Sequence, residues 1–301
     1  MRILITGGAG FIGSHIAEYY HDKADVRILD NLRAGSMKNL KNLNVEFIRG
    51  DVRDRFIVAR AMKDVDYVFH LAAMIGVPES MQNPLECIDI NVNGTLVVLE
   101  EAAKARVKKL CFASSAAVYG NAPDALRRED VCADPDSIYA VTKLDGEHCC
   151  KIFSENGKLK TVSLRYFNVF GPRQDPESAY AAAPAVFCNR AIHGKKISIF
   201  GDGEQSRDFV YIDDVVKVNA FFMENDLEGV YNVASGRTVT INDLVNRILF
   251  MTDSQSEVEH LKERPGDIRH LQASTDKLHS AGVRCDSSFS ASLSNTINSY
   301  K

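Results

Sequence analysis

The chain has 301 residues, 45% of them apolar and 25% charged, with a formal net charge of −4. That length buries a full core, and mild acidity removes the positive field that binding a polyanion needs, so nucleic acid is not an expected partner. No apolar run approaches the ~18 residues of a membrane span, and no secretory leader is read, so a cytoplasmic protein with no membrane partner is expected.

Arg2 to Thr6 is a short apolar run, read as a buried first strand. It leads into Gly7, Gly8, Gly10 and Gly13, which fit G-x-G-x-x-G from Gly8. Small residues let the strand turn into a helix while backbone N–H groups approach a pyrophosphate at the helix's positive end. A glycine-rich turn with no ligand satisfies the same short pattern. Phe11 to Tyr20 has helical spacing, and Asp25 to Leu29 is a second strand ending at Asp30. Asp30 follows Gly10 by 20 residues, where the acid that holds an adenosine ribose is expected. Its charge favours NAD over NADP, while Arg33 leaves a 2′-phosphate open.

Val45 to Ile48 is a third strand. Asp51 beyond it either accepts from an adenine amino group or caps the next helix. Val65 to Leu71 is a fourth strand, and small Ala72 and Ala73 at its C-terminal end suit a cofactor lying across the sheet. His70, inside that apolar run, reads as a hydrogen-bonded core histidine. Pro84 to Ala105 is expected as one long amphipathic helix whose apolar face is interrupted by Asn91 and Asn93. A polar group buried there needs a partner: cofactor, backbone carbonyl or water. Val107 to Phe112 is a fifth strand running into Ser114 and Ser115. Ile138 to Phe153 is a helix on which Tyr139 and Lys143 share a face. Thr161 to Phe167 is a sixth strand.

Beyond Gly171-Pro172 the alternation becomes irregular. Short strands are expected at Phe209 to Ile212 and Val230 to Val233. Asp213 and Asp214 cap a helix to about Phe222, Thr240 starts another to about Leu249, and the polar end from Ser287 is expected to fray. The strict alternation of the first part predicts an α/β fold, a Rossmann-type doubly wound parallel sheet. The seven cysteines include no Cys-x-x-Cys pair, so reduced thiols and no metal are expected.

A serine at a strand end, followed 24 residues later by Tyr-x-x-x-Lys on a helix, is more specific than the glycines. Tyrosine, with an ordinary pKa of about 10, is a poor base, and a nearby ammonium together with a positive nicotinamide would lower that value. Tyr139 would then take a proton from a sugar hydroxyl as its carbon gives hydride to NAD+. Lys143 would bind the nicotinamide ribose, and Ser115 would hold the reacting oxygen. Taken alone, Tyr139 and Lys143 also read as two surface groups of an amphipathic helix.

These residues resemble those of extended short-chain dehydrogenase/reductases, specifically the nucleotide-sugar epimerase group that includes the 4-epimerases of UDP-glucose and UDP-N-acetylglucosamine. The similarity runs from TGGAGFIGSH at Thr6 through LDN at Leu29, GDVRD at Gly50, HLAA at His70 and NPLECIDINVNGT at Asn83. It continues through SSAAVYG at Ser114, YAVTK at Tyr139, RYFNVFGPRQDP at Arg165 and SRDFVYIDD at Ser206 to RPGDIRH at Arg264.

The resemblance implies an NAD site formed by Gly7, Gly10, Phe11, Ile12, Gly13, Asp30, Asn31, Arg33, Asp51, Val52, Leu71, Ala72, Ala73, Asn91, Tyr139, Lys143 and Phe167. It implies Ser115, Tyr139 and Lys143 as catalytic residues, and a UDP-sugar held by Ser115, Asn168, Arg207, Arg264 and Asp267. Guanidinium forks suit a diphosphate. The NAD domain is placed at residues 1–168 and 209–234, and a smaller α/β C-terminal substrate lobe at 169–208 and 235–301. A homodimer packed through helices like 84–105 and 138–153 is implied as well.

Within that group, sugar 4,6-dehydratases carry an Asp-Glu pair just after the serine, and UDP-glucuronate decarboxylases a glutamate in that segment. Here Ala116 and Ala117 stand there, so oxidation followed by return of the hydride, 4-epimerisation, is expected. Epimerases often place threonine where Ala117 stands, leaving Ser115 alone in the proton network. Leu271, seven residues after Arg264, is neither the small residue of N-acetylhexosamine-accepting members nor the tyrosine of glucose-restricted ones. The balance leans slightly to the plain hexose pair. A net nucleotide-sugar reductase or dehydrogenase is the alternative. A non-catalytic nucleotide sensor is another, against which the presence of Tyr139 and Lys143 argues.

Overall fold

The computed structural model describes residues 1–120, 126–178, 181–263 and 269–301. They fall into two units, Met1–Ala122 with Cys132–Tyr166 and Val216–Tyr231, and Pro123–Val131 with Phe167–Val215 and Asn232–Lys301.

The first unit is built on a seven-stranded sheet of β1 (Arg2–Thr6), β2 (Asp25–Asp30), β3 (Val45–Arg49), β4 (Tyr67–His70), β5 (Lys109–Ser115), β6 (Lys160–Tyr166) and β7 (Gly229–Val233). Their order is β7-β6-β5-β4-β1-β2-β3, and the pairs from β3 through to β6 are parallel. Ile3, Leu4 and Ile5 are wholly buried, which explains an unbroken apolar run where a half-exposed strand would alternate. The chain steps outward from β1 to β3 and then returns to β4 on the other side of β1. A parallel sheet binds ligands at such a reversal, beyond the strands' C-terminal ends.

The helices of this unit that frame the site are α1 (Phe11–Tyr20), α2 (Arg55–Ala61), α3 (Val77–Gln82), α4 (Pro84–Ile88), α5 (Gly94–Lys104) and α6 (Ile138–Glu155). Val58 of α2 and Val98 and Leu99 of α5 close over Leu4, Leu29, Val68 and Leu110 in one apolar cluster. Each such side chain, once buried, contributes about 1.5–3 kcal/mol.

The single helix expected over Pro84–Ala105 is instead α4, a π-helical turn at Asp89–Asn93, and α5. The wider turn accommodates an extra residue and turns Asn91 inward, where its amide is fully engaged. Leu85, apolar and near the start of α4, is 82% exposed. Asp54 rather than Asp51 caps α2, accepting from Phe56 N and Ile57 N.

In the second unit the strand Ser206–Tyr211 pairs in parallel with Asn168–Phe170 and with His270–Ala273, and antiparallel with Thr238–Thr240. Thr240 caps the helix Ile241–Thr252 through Asp243 N, as its sequence position predicts. The C-terminal segment does not fray. Phe289–Asn298 is a helix whose Ser292, Leu293, Thr296 and Ile297 are buried, a stripe made half of hydroxyls and therefore hidden by its composition. No helix among the described residues is long and apolar enough to cross a membrane.

Candidate active site

The turn after β1 is held from within. Gly7 has φ +70°, and a Cβ there would meet Ala72 N at 2.8 Å; a Cβ on Gly13 would meet Gly7 O at 2.4 Å. Neither position admits a side chain. Gly10 ends the turn and opens α1, so the N–H groups of Phe11, Ile12 and Gly13 lie in its first turn, where none has an intrahelical acceptor. Asp30, at the end of β2, accepts from Ala9 N at 2.9 Å and from Leu32 N at 2.7 Å. Burial raises its pKa against those two bonds. The acid therefore shapes the glycine turn, and each oxygen retains a lone pair for a ribose hydroxyl.

Around this turn Val52 is buried, while Leu71, Ala72 and Ala73 remain partly exposed beyond β4. Asn31 donates to Asp51 at 3.0 Å, and Arg53 holds the same carboxylate, keeping the Asp51 pKa down at about 2. Arg33 is clamped between Glu79 and Glu86.

His70 lies between two hydroxyls, Thr6 Oγ1 at 2.7 Å and Thr95 Oγ1 at 3.0 Å, and burial pushes its pKa down to about 3. It is a neutral structural bridge, as the sequence suggests.

Ser115 ends β5 and Tyr139 opens α6. Ser115 Oγ accepts from Ala117 N at 3.1 Å and acts on the Tyr139 hydroxyl in the direction that lowers its pKa. Lys143, one turn along α6, is 4% exposed; its ammonium donates to Ala113 O at 2.7 Å and lies 5.8 Å from the Tyr139 ring centre. Burial brings the Lys143 pKa down to about 8. Burial also lifts Tyr139 to about 12, against the opposing effect of Ser115. The sequence reading has Lys143 and a positive nicotinamide depress that pKa; in the protein by itself, burial governs it.

The backbone entry to α6 is fixed from two sides. Ser80 of α3 accepts from Tyr139 N at 3.1 Å. Asn91 accepts from Met74 N at 2.8 Å and donates to Met74 O and to Thr142 Oγ1, each at 3.0 Å. The amide expected to contact the cofactor is thus engaged in joining the segment after β4 to α6.

In the second unit Asn168 donates to Asp208 O at 3.0 Å, and Arg207 donates to Ser206 O at 2.9 Å. Asp208, between Arg207 and Phe209, takes Ser235 N and Gly236 N at 2.9 Å each, and burial raises its pKa to about 6. Leu271 is buried and in register with Arg207 on the neighbouring strand. Phe167 is buried, its N–H bonded to Val233 O. Arg264 and Asp267 lie outside the described residues.

Residues 3–234 match the NAD dependent epimerase/dehydratase family. The chain belongs to that family. Among its relatives, a protein of Methanocaldococcus jannaschii described as a putative UDP-glucose 4-epimerase is 36% identical over 99% of this chain and 98% of its own length. The solved structure of a UDP-N-acetylglucosamine 4-epimerase from Methanobrevibacter ruminantium, in complex with UDP-N-acetylmuramic acid, superimposes with a TM-score of 0.96. It is 41% identical and covered over 97% of its chain, against 99% of this one. A UDP-glucose 4-epimerase of Thermus thermophilus in complex with NAD gives a TM-score of 0.93 at 36% identity, covering 100% of this chain and 99% of that one. Other relatives are described as dehydratases and decarboxylases.

The cofactor of this epimerase/dehydratase family is NAD, and the first unit fits it. A turn without side chains, a helix N-terminus and an acid at the end of β2 stand together where the strand order reverses. Three groups of side chains near the candidate site escape a reading along the chain. Glu147 and Arg165 form a buried pair beside the reacting groups, Ser80 holds the Tyr139 backbone, and Glu79 and Glu86 hold Arg33. Glu147 alone carried a signal, as an acid four residues after Lys143 on the same helical face.

Proposed function

We propose that this chain is an NAD-dependent UDP-sugar 4-epimerase, acting on UDP-glucose and UDP-galactose and with selectivity relaxed towards the N-acetylhexosamine pair. The observation carrying this is the Ser115–Tyr139–Lys143 group followed by Ala116 and Ala117. Tyr139 stands beside an ammonium, and the two positions after the serine carry alanine where an acid would drive elimination.

Gly7, Gly10, Gly13 and Asp30 would hold the pyrophosphate and adenosine ribose, and Lys143 the nicotinamide ribose. NAD, when bound, supplies a reversible acceptor for the hydride of sugar C4. Tyr139 removes the 4-hydroxyl proton and later returns it, while Ser115 keeps the oxygen within hydrogen-bond reach throughout. The phenolate must form in a site that raises its pKa, so positive charge is required next to it, and the Lys143 ammonium is part of that charge. Asn168, Arg207, Arg264 and Asp267 would grip the nucleotide, leaving the hexose free to present either face. Tight binding of the non-reacting part is what such an exchange requires.

The protein is proposed to work as a homodimer in the cytoplasm. Exposed Leu85 and Ile88 on α4 and Val141 and Ile152 on α6 support the dimer.

The test incubates purified protein with UDP-glucose, UDP-galactose and their two N-acetyl counterparts. Interconversion within a pair, with no net NADH, is expected. Stoichiometric appearance of NADH would show a dehydrogenase instead, a 4-keto-6-deoxy product a dehydratase, and no conversion at any NAD loading would sink the enzymatic reading.

A further inference from the structure

The loop after β2 reaches far beyond the glycine turn. Asn31 Oδ1 accepts from Arg33 N at 3.0 Å, which turns the loop back on itself and projects the Arg33 side chain. Its guanidinium bonds Glu79 of α3 at 2.8 Å and both oxygens of Glu86 of α4. One edge of the sheet over, Arg53 beyond β3 bonds Asp51 at 2.9 Å and Asp89 of the π-helical turn at 2.8 Å. Asn31, bonded to Asp51, joins the two arginines into one network.

The sheet order decides what this network crosses. Arg33 and Arg53 follow β2 and β3, whereas Glu79, Glu86 and Asp89 follow β4. β1 lies between β2 and β4, and its C-terminal end carries the glycine turn. An ion pair from the β2 side to the segment after β4 therefore spans the end of the strand over which the dinucleotide lies in this fold. The same segment touches the backbone of Tyr139, since Ser80, adjacent to Glu79, accepts its N–H.

We propose that Glu79 and Glu86 belong to the cofactor site as the far half of an Arg33 clasp, whose closure across the end of β1 governs the release of NAD. The clasp is ionic and sits at the surface, with the Arg33 and Glu86 side chains 36% and 41% exposed. Ion pairs so placed are weak singly, so the clasp opens readily enough to admit the cofactor and slows its departure rather than forbidding it. It rests on NAD lying at the glycine turn and not on the reaction, so it survives a failure of epimerisation.

Release of NAD from the loaded full chain is followed with an enzymatic trap that consumes free NAD, at low and at high salt. Wild type should release about three- to tenfold faster at high salt, where surface pairs are screened. The Glu79→Gln/Glu86→Gln variant should release at the fast rate at both salt levels while its unfolding temperature shows that it is folded. Equal release by wild type and variant at low salt overturns the clasp. So does a variant that is faster but keeps the wild-type salt dependence, because the carboxylates would then act through packing. A wild-type chain that binds no NAD overturns both the clasp and the site it closes.

Discussion

Glu147 and Arg165 face each other as a buried two-bonded pair, Nε to Oε1 at 2.8 Å and Nη2 to Oε2 at 2.7 Å, with side chains only 5% and 6% exposed. Ser114 donates to the same carboxylate, and the guanidinium lies 4.7 Å from the Tyr119 ring centre. The pair thus ties α6, which carries Tyr139 and Lys143, to β5, which carries Ser115, and to β6. Removing one partner leaves the other charged and unpaired in the interior. Arg165→Met is expected to cost about 3 kcal/mol in urea unfolding, whereas Glu147→Leu/Arg165→Met should recover much of that loss. A double variant as unstable as the sum of the two single ones would show that the pair is not acting as a unit.

Tyr139→Phe removes the group proposed to exchange the substrate proton and leaves the phenyl ring in place. Turnover should fall by about three orders of magnitude, the middle of the usual range for losing a general base, while NAD still binds. Ser115→Ala should cost less, because the role proposed for the serine is only to hold the oxygen. Retained turnover in the Tyr139→Phe enzyme would remove the base assigned above.

What the sequence made legible was local. The glycine turn with Asp30, and Ser115 with Tyr139 and Lys143, are spaced by the geometry of one strand–helix unit and are readable along the chain. Glu147 and Arg165 stand 18 residues apart and meet only because α6 packs across β5 and β6. Arg33 lies 46 residues from Glu79, and nothing in either neighbourhood names the other. The π-helical turn was hidden because apolar spacing is counted at one helical period, and one extra residue shifts the face from Asn91 onward. The C-terminal helix was hidden because Ser292 and Thr296 fill core positions that a hydrophobic pattern leaves blank.

The pH response should follow Lys143. Its pKa stands near 8 because burial disfavours the ammonium, so the charge is present below that value and lost as pH rises through it. Tyr139, at about 12, does not titrate in the same range. The alkaline limb of kcat/KM for the free enzyme should therefore fall with a single proton's slope near pH 8. The Lys143→Met enzyme, slower throughout, should lack that limb; if the limb persists, another group carries it.

Arg33 also bears on the choice between NAD and NADP. A 2′-phosphate needs a free cation beside the ribose acid, and here Glu79 and Glu86 neutralise the arginine that follows Asp30. Glu79→Gln/Glu86→Gln should raise the affinity for NADP relative to NAD by about tenfold, the equivalent of about 1.4 kcal/mol. Fluorescence titration with both reduced cofactors measures the ratio, and an unchanged ratio would mean that Asp30 alone discriminates.

The proposed dimer makes a prediction that separates its surface from the sheet. Leu85 is 82% exposed, Ile88 and Val141 40% each and Ile152 55%, so Leu85 contributes little to packing within the chain and the other three keep a large part of their surface open. On α6, Val141 and Ile152 are 11 residues apart, three helical turns, and lie on one face. A two-fold interface uses each residue twice, so a single substitution counts twice. Leu85→Asp should weaken the dimer by about a hundredfold or more while leaving the unfolding temperature of the separated chains unaltered. Light scattering coupled to size exclusion, run over a range of concentrations, measures this directly. A wild-type chain that is monomeric at every concentration, or a Leu85→Asp chain that dimerises as tightly as wild type, would rule out this face.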